Sequence, residues 1–88
     1  MKTDFKNLSI VIPCFNEEEV LHSTYTELKN IIKAISNINK HQFVFVNNGS
    51  TDKTLDVLIS LKANDNNIKI LLTRNIPYYK LLQYFEDQ

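Results

Sequence analysis

Three short apolar runs lie at Leu8–Ile12, Gln42–Val46 and Ile68–Thr73, with stretches between them that are helix-sized and far too long for hairpin turns. That spacing constrains the fold more than any other feature of the chain. The runs are rich in β-branched and aromatic residues, as strands are, and nearly continuous, as strands covered on both faces are. Between the first two, Val20, Leu21, Tyr25, Leu28, Ile31, Ile32 and Ile35 recur at spacings of three and four. They form one stripe of a helix predicted over about residues 17–36. Between the second and third, a helix is predicted over about residues 52–63, with Leu55, Leu58, Ile59 and Leu61 available to face a sheet. The order strand, helix, strand, helix, strand implies a parallel sheet with right-handed crossovers. A last short helix is expected over residues 78–85, where Tyr78, Leu81, Leu82 and Phe85 share a face.

The strand ends carry the polar punctuation. Pro13-Cys14-Phe15-Asn16-Glu17-Glu18-Glu19 follows the first run, and Asn16 is predicted to cap the first helix, with Glu19 reaching back to it as in a capping box. Asn47-Asn48-Gly49-Ser50-Thr51-Asp52 follows the second run, with Ser50 or Thr51 as the expected cap. Gly49 is the chain's only glycine, and its place in this turn points to a backbone conformation that other residues resist. Arg74 follows the third run. In an open parallel sheet all three loops gather at one rim, where such sheets bind ligands. The same loops also read simply as turns and caps serving the fold, and spacing alone does not choose between the two.

Other chemistries are disfavoured. The first crossover lacks glycine, which removes a dinucleotide-binding fingerprint and a P-loop. Ten basic and ten acidic residues leave no net charge, so nothing steers the chain towards nucleic acid. Cys14 reads as a small buried packing residue rather than a nucleophile. His22 and His41 have no partners at metal-ligand spacing. Asp65 reads as part of a solvated turn. One cysteine cannot form an internal disulfide and fits a reducing, cytoplasmic setting. No apolar run approaches the roughly 20 residues needed to span a bilayer.

Ile10-Val-Ile-Pro-Cys-Phe-Asn-Glu-Glu18, Phe45-Val-Asn-Asn-Gly-Ser-Thr-Asp-Lys-Thr54 and Thr73-Arg-Asn75 together resemble the opening of a family-2 glycosyltransferase. The nearest likeness is to the dolichyl- and undecaprenyl-phosphate sugar transferases. The resemblance covers about residues 8–75 and implies a three-layer, Rossmann-like half of a GT-A fold. Residues 1–88 would form a single partial domain binding the nucleotide of a UDP- or GDP-sugar. By that likeness Pro13 and Phe15 line the base pocket, Glu17 lies near ribose and base, Asn16 belongs to the same nucleotide site, the Asn47–Asn48 pair takes the place of two aspartates of which the second accepts a hydrogen bond from the base, and Arg74 approaches the base or diphosphate. An amide accepts a base hydrogen bond without charge assistance, which weakens affinity by about fivefold to tenfold.

The family's metal-holding Asp-x-Asp, which binds Mg or Mn in full-length members, does not occur in these residues, nor does its catalytic base. After Asn75, Ile76-Pro77-Tyr78-Tyr79 stands where the family continues with glycine and small residues. The expectation is a truncated or frameshifted copy, with no catalytic residue, metal ligand or cofactor of its own. It binds a nucleotide-sugar weakly and does not turn it over. The alternative is a non-catalytic remnant or interaction module. With the rest of the fold missing, the first strand is an open edge available for self-association.

Overall fold

The computed structural model describes residues 6–35, 37–74 and 76–77. Its elements run β1 (Lys6–Cys14), α1 (Leu21–Ala34), β2 (Ile38–Asn48), α2 (Thr54–Ala63) and β3 (Ile68–Thr73). The fold is α/β, with a parallel three-stranded sheet in the order β1-β2-β3. The expected helix and outer layer at residues 78–85 lie outside the described residues.

β2 is longer than its apolar run. It is paired on both sides, with Phe43 opposite Ile10 and Ile68, and Phe45 opposite Ile12 and Ile70. Pairing with β1 draws the polar residues Lys40 and His41 into the ladder, with Asn39 at an irregularity of the register. The side chains of β2 alternate between faces, as a strand requires. Phe43 and Phe45 point to the helices and are fully buried with Cys14, Leu21, Leu58, Leu61 and Ile68. Val44 and Val46 point the other way and form a second cluster with Val11, Leu71 and Ile76. Burying a side chain the size of phenylalanine stabilises by about 1.5–3 kcal/mol, so β2 is the anchor of the fold.

Both helices pack on the same face of the sheet. Leu21, Tyr25, Leu28 and Ile32 of α1 contact the core, whereas Val20, Ile31 and Ile35 from the predicted stripe are about half exposed. On α2, Leu58 and Leu61 are buried and Val57 packs beside them, while Ile59 points outward. Asp65, expected in a solvated turn, is half-buried. Its Oδ2 accepts a hydrogen bond from the Tyr25 hydroxyl, and Lys29 Nζ lies 3.7 Å from the same oxygen, tying α1 to the loop after α2.

The two helix starts correct the capping expectations. α1 begins at Leu21, not near Glu17, and no side chain caps it. Asn16 instead takes a left-handed backbone with φ 53°, and its amide oxygen turns to the other loop. α2 begins at Thr54, and its first amide is capped by Asp52 at 2.9 Å rather than by Ser50 or Thr51. Gly49 has φ 76°, the positive value that its isolation in the turn predicted.

Candidate functional site

The site is the rim formed by the carboxyl ends of the three strands. Register places Cys14, Asn47 and Leu72 in one row on the helix side of the sheet, and Asn48 beside Thr73 on the other side. Phe15 and Arg74 each follow the last residue of an outer strand, and both are exposed. Pro13, Phe15, Asn16, Glu17, Asn47, Asn48 and Arg74 are therefore brought to the same end of the sheet.

The loops after β1 and β2 are bound to each other rather than merely adjacent. The Asn16 amide donates to Ser50 Oγ at 3.0 Å, the Glu17 amide to Thr54 Oγ1 at 2.8 Å, and the Glu18 amide to Asp52 Oδ2 at 3.3 Å. In return, Asn16 Oδ1 accepts from the Thr51 amide at 2.8 Å and the Asp52 amide at 3.3 Å, and Glu18 Oε1 accepts from the Lys53 amide at 3.2 Å. Each loop thus satisfies backbone donors that the other leaves unpaired at a helix entrance. Ser50, Asp52, Thr54 and Glu18 are the parts that sequence reasoning missed. Their signal was the density of capping residue types in Ser50-Thr51-Asp52-Lys53-Thr54, read there as a local cap.

Neighbouring residues of a strand face opposite ways, which separates the two asparagines. Asn47 faces the helix side, and its Oδ1 accepts from the Ser50 amide at 3.4 Å. Asn48 faces the other side and is engaged at both ends of its amide. Oδ1 accepts from Thr73 Oγ1 and from the Ile76 amide, each at 2.9 Å, and Nδ2 donates to the Ile76 carbonyl at 2.7 Å. The one rim arginine, Arg74, lies between these two anchored residues.

A shallow cavity of about 260 Å³ opens beside the interlocked loops, lined by Asn16, Glu17, Glu18, Glu19, Val20 and Asp52. Carboxylates there can accept from ribose or base donors. They do not make a metal centre: both Asp52 oxygens and one of Glu18 are held by backbone amides, and among the described residues no three acidic, histidine or cysteine groups converge. Burial alone would raise Asp52, but hydrogen bonds from the Thr54 hydroxyl and nearby amides outweigh it and keep the carboxyl below its ordinary range. Burial, with the charge of Glu17, pushes the Cys14 thiol up to about 11. That makes Cys14 an inert packing group, as its sequence context implied. A larger concavity of about 660 Å³ lies at the opposite rim among amides such as Asn39, Gln42 and Asn67. Several of those amides bond to each other or to neighbours.

The described residues form a Rossmann-like α/β sheet, all strands parallel, with its polar loops gathered at the carboxyl rim. The family model for glycosyl transferase family 2 matches residues 9–75, and the chain belongs to that family. It is 36% identical over 71 residues to the uncharacterized glycosyltransferase YkcC of Bacillus subtilis, covering 80% of this chain and 21% of the relative. It is 35% identical over 72 residues to an undecaprenyl-phosphate 4-deoxy-4-formamido-L-arabinose transferase of Photorhabdus laumondii, covering 80% and 22%. A dolichyl-phosphate beta-glucosyltransferase of Trichomonas vaginalis is 36% identical over 67 residues, covering 73% and 21%. The chain spans about a fifth of the length of these relatives. No helix of the described residues is long and apolar enough to cross a membrane.

Proposed function

We propose that this rim binds the nucleotide of a UDP- or GDP-sugar, and that these 88 residues bind it weakly without turning it over. The observation that supports the reading is the mutual locking of the loops after β1 and β2, which holds Phe15, Asn16 and Glu17 beside the end of β2. In this reading Pro13 and Phe15 contact the base, Asn16, Glu17 and Asn47 lie towards base and ribose, Asn48 shapes the rim, and Arg74 meets the diphosphate. The parent reaction is sugar transfer to a polyprenyl phosphate or glycan acceptor. The chemical step needs a divalent metal at the leaving diphosphate, and among the described residues no cluster of acidic, histidine or cysteine groups could hold one. A buried free thiol suits the cytoplasmic setting expected from the sequence.

Calorimetry with UDP, GDP and their sugars at millimolar concentration tests the binding; the absence of heat with all of them removes it. Arg74→Ala is expected to weaken UDP or GDP by about tenfold, the value of one charge-assisted hydrogen bond, and uridine or guanosine hardly at all. A second reading, an interaction module, is favoured by the position of β1, which has β2 on one side and no described strand on the other.

A further inference from the structure

We propose that the Asn48 side chain is a clamp on the chain leaving β3, that this position requires an amide rather than a carboxylate, and that the clamp positions Arg74. Asn48 is the last residue of β2 and is 5% exposed. One side chain pairs with both the N–H and the C=O of Ile76, the two-point contact a neighbouring strand would make. The amide therefore extends the ladder one step past the point where the β2 backbone ends. Thr73 Oγ1 donates to the same oxygen, so the residues on both sides of the Arg74–Asn75 step are held by one group. Ile76 then packs into the Val44–Val46 cluster below.

Replacing the amide by an isosteric carboxylate keeps the two accepted hydrogen bonds and deletes the donated one. It also sets a negative oxygen against the Ile76 carbonyl in a nearly closed site, which is more costly than the lost bond alone. The clamp stands on geometry and does not need a ligand; only the positioning of Arg74 rests on the nucleotide-binding reading. The clamp opposes a simpler expectation, in which an aspartate here would tighten nucleotide binding by adding charge to a base contact.

The test measures amide hydrogen exchange at Ile76 and calorimetric binding of UDP, GDP and the matching nucleosides, for the unaltered chain, Asn48→Asp and Thr73→Val. In Asn48→Asp the Ile76 amide is expected to exchange about ten- to a hundredfold faster, and the nucleoside diphosphates to bind about tenfold more weakly, with nucleosides little changed. Unchanged protection of Ile76, or tighter nucleotide binding, overturns the proposal. If Asn48→Asp does not fold, Thr73→Val removes one bond without adding charge, and exchange at Ile76 is expected to rise about fivefold; no rise overturns the clamp. An unaltered chain that binds no nucleotide removes the nucleotide-binding reading and the Arg74 role, while the exchange result still decides the clamp.

Discussion

Asn16 shows how one residue can satisfy a local rule and obey a distant one. An asparagine followed three residues later by glutamate matches the capping-box pattern, yet its oxygen bonds to Thr51 and Asp52 across the rim. No local pattern encodes a partner that arrives only when β1 and β2 pair. Asparagine is also among the few residues that tolerate its φ of 53°. Asn16→Ala is therefore expected to lose the capping bonds and strain the backbone, destabilising by about 2–3 kcal/mol in a urea titration. Asn16→Gly relieves the strain but not the capping, and should lose about half as much. Equal losses for the two would show that the left-handed conformation carries no penalty.

The Tyr25–Asp65 pair gives the stability a pH dependence with a definite sign. Burial, the hydrogen bond to Asp65 and that carboxylate's charge push the Tyr25 phenol from 10.0 up to about 12. Its contribution is complete below pH 10 and is lost as the pH rises towards 12. Burial likewise raises Cys14 from 9.0 to about 11, so alkaline loss begins near pH 9. Burial alone would raise Asp65, but the Tyr25 and Asn67 hydrogen bonds and the charges of Lys29 and His41 hold it below its ordinary value. Its contribution is present above the ordinary carboxylate range and is lost as pH falls through the depressed value. Tyr25→Phe should lower stability by about 1 kcal/mol at neutral pH and remove the part of the alkaline decline above pH 10. An unaltered pH–stability curve in that variant would detach the pair from the fold.

At the scale of elements, strand order and type were legible because three apolar runs and two helix-length gaps admit few topologies. Helix faces were less so. α2 is apolar at Leu55, Val57, Leu58, Ile59 and Leu61, nearly all round, so its pattern names no unique face and Ile59 was assigned inward in place of Val57. α1 carries a stripe wider than the sheet can cover, leaving Ile31 and Ile35 at its margin. The polar start of β2 was hidden because pairing with β1, not composition, extends that strand. Leu58→Ala should cost about 2–5 kcal/mol, whereas Ile59→Lys should change stability by less than about 0.5 kcal/mol. Comparable losses for both would mean that the inward face of α2 is misassigned.

For the whole molecule the decisive asymmetry lies between the inner strand and its outer neighbours. β2 has partners along both sides, while β1 pairs only with β2 among the described residues, leaving its outer side from Lys6 to Cys14 without a described strand. Its exposed and half-buried side chains include Asn7, Ser9 and Pro13 but, from Asn7 onward, no charge that would discourage a second strand. A three-stranded sheet with two helices has little margin, since a core of this size leaves a net of only a few kcal/mol. Association through the edge binds only the folded state and so raises apparent stability with concentration. Light scattering after size exclusion is expected to show species larger than the 10.3 kDa monomer at high concentration, with a midpoint of unfolding that rises in parallel. Ser9→Lys, which sets a charge on the edge, should restore the monomer and abolish the concentration dependence. A monomer at every concentration before that substitution would leave β1 as an edge that protects itself, and the interaction-module reading would have no support.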